Sequence, residues 1–132
     1  MNSNAQKWVA ALRSGEHEQT TGFLCRINTI DGAIGFCCLG VACELYQKEG
    51  GKFDFVEEKG GIRSYEDCPS VLPNKVLEWL GLLSPRGTYG LGLKCLSELN
   101  DSGRNFLHIA DIIESEPKGL FADKPPESGD KA

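Results

Sequence analysis

Several features that would assign this chain a function outright are missing from its 132 residues. No apolar run approaches the roughly 18 residues of a membrane span, so no membrane partner is expected. Residues 1–8 hold neither the basic segment nor the apolar core of a secretory signal, which predicts a cytoplasmic location and a reducing environment. There is no Cys-x-x-Cys pair, and His17 and His108 stand far apart, so the spacing of a zinc site is absent and no metal or cofactor is expected. No repeat recurs at a fixed period, which excludes a solenoid. Basic residues are also in deficit. Lys and Arg total 14 against 19 Asp and Glu, for a net charge of −5, and a chain short of cations is poorly equipped to neutralise phosphates, so nucleic acid is not expected as a partner.

What is present fits one soluble domain with one core: 40% hydrophobic and 25% charged residues. The longest apolar run, residues 35–46, contains three of the six cysteines (25, 37, 38, 43, 68 and 95). From Leu39, apolar positions recur three, four and seven residues on at Ala42, Cys43 and Tyr46, and Val41 and Leu45 fill the neighbouring stripe. A helix over 38–49 that is apolar on nearly every side has to be buried. Gly40 leaves room for a close neighbour, and Gly50-Gly51 supplies the left-handed stop. Free cysteines here are read as reduced, small hydrophobes.

Elsewhere Ser3 or Asn4 is expected to cap a first helix with Ala5, Trp8, Val9 and Leu12 on one stripe and Gly15 as its end. The strand-forming stretch 21–30 meets Asp31-Gly32, which predicts a two-residue hairpin turn returning along 33–37. Residues 52–58 and 62–65 read as a second hairpin turned at Lys59-Gly60-Gly61. Pro73 opens a short helix that Gly81 closes. Residues 84–92, with three glycines and a proline, read as an exposed, mobile connection. Asn105 caps a last helix bearing Phe106, Ile109, Ala110 and Ile113, and Pro117 ends it. The expected fold class is therefore α+β: a single small domain over 1–116, with one or two antiparallel β-hairpins packed on four or five short helices around the buried helix 38–49. Residues 117–132 are expected to form a disordered tail unless Leu120-Phe121 docks.

Candidate chemistry is scattered. The glycine-rich 86–92 stretch lacks the Gly-Lys-Ser/Thr ending of a phosphate loop, yet Arg86 and Tyr89 offer an arginine fork and an aromatic face, with Arg104 as a third contact. Cys37 and Cys38 stand where a helix dipole lowers a thiol pKa, and His108 with Asp111 could serve as base and orienter of a thiol enzyme. Residues 96–113 resemble half of a helix-turn-helix, but the recognition helix is missing. From Glu98 to Glu116 five carboxylates face Arg104 alone, the composition of a solvated helix face or of a docking surface for a basic partner.

The combination of Trp8-Val-Ala-Ala-Leu-Arg-Ser-Gly15, Gln19-Thr-Thr-Gly22, Phe36-Cys-Cys-Leu-Gly-Val-Ala-Cys43, Trp79-Leu-Gly-Leu82 and Leu99-Asn-Asp-x-Gly103 followed by Phe106-x-x-Ile-Ala-Asp-x-Ile113 resembles a family of small accessory proteins encoded by tailed bacteriophages and prophages. The likeness covers about residues 5–116. It carries no catalytic residue with it. It implies a bacterial host cytosol and action by binding, as a host-takeover or anti-defence factor that blocks a host protein or sequesters a small anionic ligand; the alternative is a small thiol-dependent or nucleotide-processing enzyme.

Overall fold

The computed structural model describes residues 1–122. The fold is α+β: five helices, a five-stranded sheet and a separate two-stranded hairpin around one core. Helix α1 (Ser3–Ser14) is capped one residue earlier than Ser3, by Asn2, whose side chain accepts the Ala5 N–H at 2.8 Å, and Gly15 ends it with φ 78°. Its stripe of Ala5, Trp8, Val9 and Leu12 is buried as the periodicity requires, each of the larger side chains contributing about 1.5–3 kcal/mol.

Strands β1 (Glu18–Gln19), β2 (Cys25–Ile27), β3 (Ile34–Phe36), β4 (Phe55–Glu58) and β5 (Ile62–Tyr65) lie in the order β1-β3-β2-β5-β4. Both expected hairpins form, and β2 pairs with β5 to join them. The first hairpin does not turn on Asp31-Gly32 alone. Ile27 faces Ile34, the Asn28 N–H reaches the Ala33 carbonyl at 2.7 Å, and the Asn28 side chain accepts the Ile30 N–H at 2.8 Å. That local bond makes Asn28 the start of a four-residue loop, and it outweighs the Asp-Gly preference. Strand β1 adds a parallel edge to β3.

Helix α2 (Cys38–Lys48) passes through the centre, with every residue from Cys38 to Cys43 buried. A Cβ on Gly40 would sit 1.7 Å from the Leu24 carbonyl oxygen, so only glycine lets the chain before β2 cross this helix. The Trp8 indole donates to the Cys38 carbonyl at 2.8 Å and fixes α1 against it. Helix α3 (Asn74–Leu80) ends at Gly81, φ 75°.

The stretch 84–92 does not run as an irregular connection: Thr88–Tyr89 (β6) pairs antiparallel with Lys94–Cys95 (β7), and the Tyr89 ring is buried. Helices α4 (Leu96–Asp101) and α5 (Phe106–Glu114) follow, and α1 packs along α5. Beyond residue 116 the Leu120-Phe121 pair docks on the domain. Leu120 is fully buried, Phe121 bridges Leu82, and the Ala122 N–H donates to the Gly81 carbonyl at 2.7 Å. One leucine with a tertiary socket offsets the ordering entropy that composition alone could not. The remainder of the expected tail, 123–132, lies outside the described residues.

Candidate functional site

Three of the sequence stretches that stand out most meet at one buried side chain. Asn100, with no exposed surface, accepts from the Cys38 N–H at 3.1 Å and from Gln19 Nε2 at 2.8 Å, and its own amide donates to the Thr20 carbonyl at 2.8 Å. Gln19 Nε2 also donates to the Arg104 carbonyl at 2.7 Å, and Asp101 accepts the Gly22 N–H at 2.8 Å. A buried amide so fully partnered holds segments together; it has no lone pair or proton left for a ligand.

The same saturation surrounds the candidate nucleophiles Cys37 and Cys38. Cys37 caps α2 by accepting the Gly40 N–H at 3.4 Å, and Asn100 caps the Cys38 N–H, so the first-turn amides are taken. Burial pushes the Cys37 thiol up to about 11, against the hydrogen bonds from the Gly40 and Leu39 amides that lower it, and it pushes Cys38 and Cys43 well above the ordinary thiol value. Desolvation thus opposes the expected dipole activation, disfavouring the thiolate where the helix end would favour it. His108 is exposed on α5 and lines a cleft that holds neither Cys37 nor Cys38.

That cleft, about 390 Å³, is where the remaining candidates gather: Tyr89 from β6, Lys94 from β7, Glu98 and Ser102 around α4, Arg104, and His108 from α5. Lys94, Arg104 and His108 face Glu98 as the one carboxylate in its lining, so a local basic excess sits on an acidic chain. Gln19, through the Arg104 carbonyl, ties this rim to the buried Asn100. Burial, helped by neighbouring Cys95, raises the Tyr89 phenol above its ordinary value and keeps its hydroxyl a neutral donor. Its ring is packed inward, so Tyr89 borders the cleft and does not offer the free stacking face expected from a mobile loop. Arg86 is exposed but is not among the cleft's lining residues. Lys94 and Ser102 were not singled out by the sequence; only the β6–β7 pairing, which sets Tyr89 opposite Lys94, puts that lysine here.

The acidic run 98–116 is less free than its composition suggests. Arg13 pairs with Asp111 at 2.8 Å and Glu114 at 2.6 Å, and the Met1 amine pairs with Glu116 at 2.6 Å, so α1 covers much of a surface that would otherwise suit a basic partner. A second cleft of about 430 Å³ beside β1 and the first hairpin is lined by Glu18 and Arg26, whose charges oppose each other and favour no ligand charge. Among the described residues no group of three or more His, Cys, Asp or Glu side chains is placed to hold a metal ion, and no helix is long and apolar enough to cross a membrane. No further helix follows α5 among the described residues, so the helix-turn-helix likeness stops at its first half.

No curated protein and no solved structure matches the chain. A family profile does, over residues 1–117, and the chain accordingly belongs to the family described as a domain of unknown function, DUF8296.

Proposed function

We propose that the protein acts by binding, and that the cleft between the β6–β7 hairpin and α4–α5 takes an anionic group, carried by a small ligand or by a bacterial host protein. The observation that carries this reading is the gathering of Lys94, Arg104 and His108 in one cleft, beside the neutral donor Tyr89, on a chain whose net charge is −5. An arginine fork and a lysine converging on a concave site suit phosphate or carboxylate, and the low exposure of Tyr89 gives that site a fixed wall. The role that fits is the accessory one implied by the resemblance to phage proteins: host takeover or counter-defence by blocking or sequestering. A thiol enzyme would need an accessible thiolate, which the burial of Cys37 and Cys38 opposes.

Isothermal titration with inorganic phosphate and with nucleoside monophosphates tests it. Lys94→Ala with Arg104→Ala should weaken binding at least about tenfold, about 1.4 kcal/mol, while Arg86→Ala, outside the cleft, should bind as the parent protein does. Equal affinity in the double variant, or no heat with any of these anions, refutes the small-anion reading.

A further inference from the structure

Ion pairs tie Lys7, Arg13, Lys48, Arg63 and Lys75 to carboxylates. Lys94 and Arg104 share the cleft of about 390 Å³ with Glu98, yet among the described residues neither cation pairs with it, and Glu98 pairs with nothing else. Two cations and one carboxylate thus stand apart on a single concave surface. The wall between them is fixed. The Leu99 carbonyl accepts the Arg104 N–H at 3.1 Å and the Ser102 hydroxyl at 3.0 Å, and the pairing of Tyr89 with Lys94 holds the other side.

A bare anion uses only part of this lining. A carboxylate accepts hydrogen bonds and donates none, so Glu98 repels an anion that enters alone and favours one that carries hydroxyl or amino groups on another part of the molecule. Leu99 and Ile112 add a third element. Both are partly buried side chains resting on the core, and the surface they keep open belongs to the cleft. It gains nothing from phosphate, but an apolar body laid against it leaves water. Size narrows the choice further. Ligand pockets span roughly 300–1,000 Å³, so a cleft of about 390 Å³ suits one small molecule. A polynucleotide would lay its further phosphates on a chain whose net charge is −5.

We propose that the ligand is a nucleoside monophosphate: Lys94 and Arg104 hold the phosphate, Glu98 accepts from ribose hydroxyls or from base amino groups, and Leu99 with Ile112 covers the base. This rests on the anion-binding reading of the same cleft and adds Glu98 as the residue that selects a nucleotide over free phosphate. A site built to accept from a ligand's donors discriminates against the analogue that lacks them.

Isothermal titration of the parent protein and of Glu98→Ala, each with inorganic phosphate and with adenosine monophosphate (AMP), tests it. The parent should bind AMP at least about tenfold tighter than phosphate. Glu98→Ala should shrink that ratio to about threefold or less, with phosphate bound more tightly than by the parent. Because the ratio is taken within one variant, a change in folded fraction cancels from it. If Glu98 acts through charge alone, phosphate and AMP gain equally; if it only supports the fold, both lose equally; an unchanged ratio of either kind overturns the proposal. Ribose 5-phosphate separates the two sources of donors. An intermediate affinity places the sugar hydroxyls on Glu98, an affinity no better than that of phosphate places the base there, and an affinity equal to that of AMP means that the base is not bound and overturns the proposal.

The thiols report where AMP sits. Cys95 lines this cleft and Cys68 lines another, both partly exposed, while the other four cysteines are buried. AMP at ten times its Kd should slow alkylation of Cys95 by iodoacetamide at least about threefold and leave Cys68 unchanged. Binding heat without protection of Cys95 overturns the assignment. AMP and phosphate bound equally by the parent would refute this inference and leave the anion reading standing, whereas no heat with either removes the anion reading and this inference with it.

Discussion

At the start of α2, six consecutive residues are buried, a cysteine caps the helix, and a distant asparagine takes the remaining amide. In the β6–β7 hairpin, of similar length, Tyr89 points into the core while Leu91, Leu93 and Lys94 stand in solvent. The first segment has the more distinctive residues, with paired cysteines at a helix N-terminus, and the second reads as a glycine-rich connection. Their capacities run the other way. Where every thiol is desolvated and the helix-start amides are partnered, unusual composition serves packing; where side chains stand in solvent, ordinary residues still have a surface to offer.

The sharpest way to break this contrast is Gly40→Ala, the smallest possible change in α2. With a backbone oxygen 1.7 Å from the new methyl group there is no side chain to move aside, and the chain should fail to fold, read as loss of the cooperative melt by circular dichroism. Next comes Asn100→Leu, which keeps the volume but strands the buried Cys38 N–H and Thr20 carbonyl. At about 1–3 kcal/mol per stranded group the loss should be about 3 kcal/mol in denaturant unfolding; a loss below about 1 kcal/mol would mean that Asn100 is not the tie between these segments. Leu120→Ala, in the docked segment beyond α5, should cost about 2–4 kcal/mol by the same measurement. A negligible cost would return residues 117–122 to the status of a dispensable tail.

The mildest test is pH. Cys37 has its folded value raised to about 11, so the neutral thiol is favoured by folding and the unfolded chain ionises first. The associated stability is complete below the ordinary thiol value near 8.5 and is lost as pH rises toward 11, so the denaturant midpoint should fall between about pH 8 and about pH 10.5. Cys38 and Cys43 act in the same direction. A flat profile would contradict the burial of these thiols.

How far the sequence could be read follows the range of the forces involved. Helix α1, helix α2 and the two hairpins of the large sheet are visible because their apolar spacing and their turn residues are local. Strand β1 is two polar residues whose only reason to be a strand is the β3 edge beside it, and no pattern of length two can announce that. The β6–β7 hairpin hides for the same reason. Of the site, Tyr89, Arg104 and His108 were legible as residue types and do meet; Lys94 was not, and Arg86 was placed with them only by its nearness in sequence. The role of Asn100 has no local signal, since Cys38, Thr20 and Gln19, which it ties together, lie 62 to 81 positions away.

The pairing of α1 with α5 sets a timetable for the ribosome. Helix α1 leaves the ribosome well before the surface it packs against, including the Asp111 and Glu114 partners of Arg13, has been made. Until then α2, apolar on nearly every side, waits without its full cover. Closure of the core therefore waits for contacts between the two ends of the domain, which slows folding relative to a bundle of sequential neighbours.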